Sequence, residues 1–146
     1  MMDFMTALDI AASGMSTERT NLNVVSMNLA NAKTTRTPEG GAYRRKTVVR
    51  AATDVDSPFS AVMQDSLSRE LKGSRVLGIA EDSRPFKRVL EPGHPDADEQ
   101  GYVNYPDINV VEEMTQMLTS TRSYEAEVAS VENIKGMFTR ALDIGK

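Results

Sequence analysis

A column of apolar residues recurs every seven positions near the N-terminus of the chain. The column consists of Leu8, Met15, Leu22 and Leu29. Apolar side chains at this spacing share one face of an α-helix, so the pattern predicts a helical N-terminal arm over residues 1–32. The face is thin, because Ala12, Ser13 and Gly14 add almost no apolar area. A helix with so little to bury is marginal in water on its own.

The C-terminal segment carries two such columns. One is formed by Val110, Met117, Tyr124, Val131 and Phe138. The other is formed by Met114, Thr121, Val128 and Leu142, with Lys135 as its one charged break. This pattern is typical of a coiled-coil seam and predicts a second helical arm over residues 109–146, about 50 Å long. We expect the N-terminal column to face the first C-terminal column within one chain, because a hairpin is the simplest topology. The alternative is a seam that faces neighbouring subunits.

The middle of the chain is interrupted by proline and glycine. All six prolines and six of the nine glycines lie between residues 38 and 106, and both residue types break helices. Short strands are predicted at residues 43–49, 75–79, 86–90 and 101–105, with the second and third paired around a turn at 81–85. Residues 54–74 are ambiguous and could form one or two helical turns. The predicted fold class is therefore α+β: long N- and C-terminal helices paired as a coiled coil, with a small β-rich middle domain over residues 33–108 that carries a basic loop.

Composition and charge exclude several classes of partner. The chain has 17 basic and 21 acidic residues, a net charge of −4, which argues against a protein that holds nucleic acid through its phosphates. No apolar run approaches the roughly 20 residues that span a bilayer, so we expect no membrane insertion. The N-terminus lacks the features of a cleaved secretory signal. Six basic residues face one acidic residue in 33–50, whereas 51–108 has six basic and eleven acidic. This segregation suits side-by-side packing of identical or related subunits, or equally a balance within one chain.

The chain offers little chemistry. It has no cysteine, which excludes disulfides and thiolate metal sites. His94 lies in a proline-bounded loop without a second imidazole, and the acidic residues after it match an EF-hand loop only in part. No motif for nucleophilic catalysis or phosphate binding is present. We therefore expect no metal, no cofactor and no enzymatic activity.

Short motifs at both ends resemble a known family. The stretches AASGM at 11–15 and NVVSMNLANAKTT at 23–35 resemble the opening signature of bacterial flagellar rod and hook proteins. The stretch from VVEEM at 110–114 to RSYEA at 122–126 resembles their closing signature. Two middle stretches, TPEGGAYRR at 37–45 and PGHPDADEQGYV at 92–103, favour the proximal rod protein within the bacterial flagellar basal-body rod protein family. The resemblance covers nearly the whole chain, least well over 51–74.

The resemblance implies a structural subunit of the flagellar basal-body rod. Such a subunit is exported uncleaved through the flagellar type III export apparatus. It polymerises with other rod subunits on the basal-body base and transmits torque across the periplasm. The family motif also implies contacts to neighbouring subunits at Asn28, Asn31, Thr34 and Thr35, for which local turn bonds are the alternative. The competing class is a cytosolic helical-hairpin adaptor or export chaperone, which explains neither the β-like middle nor the paired end motifs. The predicted subunit or helix interface consists of these four residues and the columns of both arms.

Overall fold

Two long helices form the body of the molecule. The computed structural model describes residues 4–54 and 71–145. Helix α1 spans Phe4–Ala30 and helix α2 spans Val110–Ile144. Asn109 caps α2, because its side-chain oxygen accepts a hydrogen bond from the Val111 amide at 3.1 Å. The helices pack against each other in antiparallel directions, which confirms the predicted α+β class with long terminal helices.

In the described part of the chain, four strands form two small antiparallel sheets. Strand β1 (Lys46–Asp54) pairs with β2 (Lys72–Glu81), and β3 (Lys87–Leu90) pairs with β4 (Tyr102–Tyr105). The first ladder has a bulge next to Val49.

The predicted hairpin between residues 75–79 and 86–90 is wrong, because the two segments lie in different sheets. The turn between these two segments ends the β1–β2 ladder and does not bring β2 and β3 together as a pair. The Asp82 amide still donates to the Arg45 carbonyl at 2.8 Å, and the Asp82 side chain then accepts from the Arg84 amide. Pro85 follows and has no amide hydrogen with which to continue a ladder. The ambiguous stretch at 54–74 lies mostly outside the described residues.

Helix α1 lies along the β1–β2 hairpin and is fixed to it at two places. Near one end, Ser13 and Thr17 bind the amide and the carbonyl of Ser74, at 3.1 and 3.3 Å. Near the other end, the Asn28 side chain binds both backbone groups of Lys46. From Ser13 to Asn28 the helix rises about 22 Å. This matches the length of strand between the two attachment points.

Few apolar side chains are fully buried. Among the described residues they are Val24, Val25, Ala42 and Val103, whereas five polar residues are buried: Thr17, Asn21, Asn28, Glu113 and Ser120. Hydrogen bonds rather than apolar area therefore fix how these elements meet, since an unpaired polar group would be costly at such positions.

Candidate functional site

The candidate site is the contact surface between the two helices, where polar side chains meet in pairs. Asn28 donates to Glu113 Oε2 at 3.0 Å, and Asn21 donates to the Ser120 hydroxyl at 2.6 Å. The third layer brings the Glu127 carboxyl against Gly14. Successive layers step by seven residues along each helix, so they define one antiparallel heptad register. We call these three pairs the polar layers.

The column of α2 that meets α1 differs from the predicted second column by one residue. The predicted column held Met114, Thr121, Val128 and Leu142. Met114 is 59% exposed and Leu142 56% exposed, whereas Thr121 and Val128 are partly buried. One residue along a helix turns the side chain by about 100°, so this column lies beside the seam. The positions that do face α1 carry polar residues, which an apolar pattern does not detect.

The first predicted column of α2 lies nearer the seam. Met117, Tyr124 and Val131 are partly buried, and Val110 is exposed. At the far end Phe138 stacks on Phe4, with ring centroids 4.3 Å apart. This stack extends the register of the polar layers to the start of α1.

The leucine column of α1 lies on another side of that helix. Leu8, Met15, Leu22 and Leu29 are all partly buried. Glu18 and Val25 share their heptad stripe; Glu18 binds Arg50 of β1 at 2.8 Å, and Val25 is fully buried. Gly14, Asn21 and Asn28 face α2. Met15, Leu22 and Leu29 each follow one of these residues, so the leucine column is turned about 100° from the residues that meet α2. Its contact with the first C-terminal column stays a prediction.

Asn28 joins α1 to both other parts of the fold. Its amide nitrogen donates to Glu113 and to the Lys46 carbonyl at 2.8 Å. Its oxygen accepts from the Lys46 amide at 2.9 Å and from the Tyr43 hydroxyl at 3.1 Å. Two donors and two acceptor lone pairs are the full capacity of this side chain. All of the hydrogen-bonding groups of the Asn28 side chain are therefore satisfied.

Glu113 forms a buried ion pair beside Asn28. Its side chain is 0% exposed, and Arg45 Nε donates to its Oε1 at 2.6 Å. The Arg45 guanidinium also donates to Gln116 and Thr47, so it is held from several directions. Burial raises the pKa of the nearby Tyr43 hydroxyl, and the negative charge of Glu113 adds to this increase. We call Asn28, Tyr43, Arg45 and Glu113 the junction cluster.

Sequence reasoning selected Asn28 but missed the rest of this cluster. The signal was present, since Gly14, Asn21 and Asn28 recur every seven residues just as the leucines do. Of the other motif residues, Asn31 and Thr34 make local bonds, from Asn31 to the Met27 carbonyl and from Thr34 to Asn31. Thr35 donates to Asp96 in the loop before β4, at 2.8 Å. Contacts of these residues to neighbouring subunits stay a prediction.

The outermost polar layer contains a carboxyl group that packs against a glycine. A Cβ atom at Gly14 would lie 2.8 Å from Glu127 Cδ, so a larger residue there would displace this carboxyl group. Glu127 Oε2 is buried without a hydrogen-bond partner. Burial raises the pKa of Glu127, and the neighbouring charge of Glu18 raises it further.

This raised pKa predicts a pH-dependent effect of Glu127→Gln. The fold favours the protonated carboxyl, so its contribution to stability is complete below the unfolded pKa and is lost as the pH rises through the folded pKa. Glutamine cannot ionise, so the variant should melt about 1–3 °C above the native chain at pH 7.5 and close to it at pH 4. Thermal melts followed by circular dichroism measure this. The exposed Glu125→Gln is the control, and an equal shift at both pH values would contradict the assignment.

The described residues hold no group of three His, Cys, Asp or Glu side chains that could bind a metal. His94 is occupied within its own loop, where its Nδ1 accepts from the Asp96 amide at 3.1 Å. None of the described helices has the length and apolar character needed to cross a membrane.

Comparison with known proteins assigns the chain to a family. Residues 8–36 match the model "Flagella basal body rod protein", and residues 99–144 match "Flagellar basal body rod FlgEFG protein C-terminal". The flagellar basal-body rod protein FlgC of Borreliella burgdorferi is 37% identical over 98% of both chains. FlgC of Bacillus subtilis is 37% identical over 96% of this chain and 97% of its own, and FlgC of Salmonella typhimurium is 34% identical over 99% and 100%.

The chain belongs to the FlgC family of flagellar basal-body rod proteins. It is a structural subunit of the rod, as the end and middle motifs predicted, and the alternative of a cytosolic adaptor is not favoured.

The matched segments of this FlgC-family chain contain the two sides of the polar layers. Gly14, Asn21 and Asn28 lie in the first segment, and Glu113, Ser120 and Glu127 lie in the second. Arg45 lies between them. The junction cluster thus joins both matched segments through the middle of the chain.

Proposed function

We propose that this subunit polymerises along the rod axis through its terminal helices and uses the two sides of α2 for different partners. The inner side of α2 contacts α1 of the same chain through the polar layers. The outer side has apolar residues that no element of residues 4–54 and 71–145 covers: Val111 is 71% exposed, Met114 59% and Leu118 54%. These residues are spaced three and four apart, as in a helix-packing stripe. This outer stripe is the observation that carries the proposal, because large exposed apolar patches mark interaction sites.

The predicted interface residues divide between the two sides in this proposal. Asn28, Tyr124 and Val131 belong to pairing within the chain. Met114, Thr121, Val128 and Leu142 continue the outer stripe and contact helices of neighbouring rod subunits. The arms over residues 1–32 and 109–146 are then the assembly elements, and residues 33–108 form an outer part that joins them.

The subunit acts mechanically rather than as an enzyme in this proposal. It lies in the periplasm-spanning proximal rod on the basal-body base, where it transmits torque. It reaches that place through the flagellar type III export apparatus. The small apolar core favours this route, because a chain with few buried apolar side chains costs little to unfold for passage.

The proposal can be tested by locating the protein in cells. In the test strain an epitope-tagged gene replaces the chromosomal copy, and these cells should swim. Basal bodies isolated from these cells should contain the tag in amounts comparable to the other rod proteins. Since the chain has no cysteine, Met114→Cys can then be labelled with a maleimide-benzophenone, and illumination should yield cross-linked products with neighbouring rod subunits. Recovery of the tag only from the cytosol would contradict the proposal.

A further inference from the structure

A groove lined by several basic side chains lies beside the junction cluster. It has a volume of about 560 Å³, and its basic residues are Arg36, Arg44 and Lys46. Two acidic residues, Glu39 and Glu81, also line it. Lys33 precedes the groove in sequence and is exposed. We call Lys33, Arg36, Arg44 and Lys46 the basic groove.

Aromatic rings hold two cations of this groove, Arg44 and Lys46, whereas Arg36 forms an ion pair with Asp96. Within residues 4–54 and 71–145, neither Arg44 nor Lys46 has a carboxylate within ion-pair distance. Arg44 lies over the Phe86 ring at 4.5 Å, and Lys46 lies over the Tyr43 ring at 5.9 Å. The Arg36 side chain is 80% exposed and reaches Asp96 only at 3.7 Å. Aromatic rings thus position positive charge that remains available to a partner.

The same chain presents a matching acidic surface. Glu125 and Glu132 are exposed, and no described cation pairs with either. They lie one heptad apart, about 10 Å along α2. They continue the stripe that begins with Val111, Met114 and Leu118. We call Glu125 and Glu132 the acidic row.

We propose that the basic groove of one subunit receives the acidic row of a second copy of this chain. Opposite charges on two different surfaces favour a heterologous contact, in which one surface of a subunit binds a different surface of the next. Repetition of such a contact builds an open helical filament, or a ring if the rotation between subunits closes. The row lies along α2 away from the groove end of the molecule, so the two copies are staggered along their helices. The inference rests on the proposed rod function and names the partner of the outer stripe.

Charge exchange between variants tests this pairing. The groove variant carries Arg44→Glu and Lys46→Glu, and the row variant carries Glu125→Lys and Glu132→Lys. Each variant alone should associate at least about tenfold more weakly than the native chain in sedimentation experiments up to about 1 mM protein at low salt. A mixture of the two variants should regain association, because both of its mixed contacts join opposite charges: the native row meets the native groove, and the reversed groove meets the reversed row. Association of the native chain should also weaken in 0.5 M salt, roughly twofold or more, because salt screens exposed charges.

Matched controls separate this contact from a general effect of charge. Arg75→Glu with Lys87→Glu changes the net charge as the groove variant does, at exposed sites elsewhere, and should associate like the native chain. Any one of three results would overturn the inference. The mixture could fail to associate, the single variants could associate at native strength, or the native chain could show no association. Those results would leave the rod function intact if the tagged chain is still found in isolated basal bodies.

Discussion

Replacement of Glu113 by alanine is expected to lower the free energy of unfolding by about 3–5 kcal/mol, because it removes one partner of a buried ion pair. Arg45 would keep its charge in a largely buried position, and the Asn28 amide would lose an acceptor. The loss is a large fraction of the 5–15 kcal/mol that holds a typical domain together. Urea unfolding followed by circular dichroism measures it.

Glu112→Ala is the matched control for this prediction. Glu112 is the preceding residue in the first turn of α2 and is exposed. Its loss removes only a favourable charge near the helix N-terminus, worth about 0.3–1 kcal/mol. If the two variants differ by less than about 1 kcal/mol, the junction cluster is not what holds the helices to the hairpin.

Replacement of Leu118 by aspartate is expected to abolish swimming while leaving the level of the protein unchanged. Leu118 is exposed in the single chain, so a charge there costs the isolated fold little. In the rod the same charge would be buried against a neighbouring helix, which costs several kcal/mol at each subunit contact. Soft-agar motility in cells that carry only the variant measures the effect, with an immunoblot as the check on expression.

Thr119→Asp introduces the same charge one residue further on. Thr119 is also exposed, but it is turned about 100° away from the outer stripe. Cells with this variant should swim. Equal motility of the two variants would show that the outer stripe does not contact neighbouring subunits.

The helices could be predicted from the sequence almost to the residue, because their apolar columns are long and regular. The N-terminal arm was expected over residues 1–32, and α1 spans Phe4–Ala30. The strands were also placed near their observed positions. Their pairing was not predictable, since short strands carry no mark of their partners and the break at Pro85 was mistaken for a hairpin turn.

The site was harder to predict than the fold. An apolar pattern identifies faces that bury area, and it selected the leucine column of α1 and Met114 of the outer stripe of α2. The inner seam is built from Asn21, Ser120 and the junction cluster, whose partners are distant in sequence. From the sequence, Arg45 was interpreted as part of a run of basic residues, because no residue near it in the sequence shows that its charge is neutralised by Glu113. Buried polar contacts of this kind require the tertiary structure.

The central claim is that the two sides of α2 serve different partners, and three consecutive residues test it directly. The chain has no native cysteine, so each variant carries a single thiol. Leu118→Cys places it on the outer stripe, Thr119→Cys on the exposed side next to that stripe, and Ser120→Cys on the inner seam. Maleimide labelling of the purified chain should be fast at 118 and 119 and slow at 120. In isolated basal bodies, labelling at 118 should become as slow as at 120, while 119 stays reactive. A thiol at 118 that remains as reactive in basal bodies as in the purified chain would contradict the account.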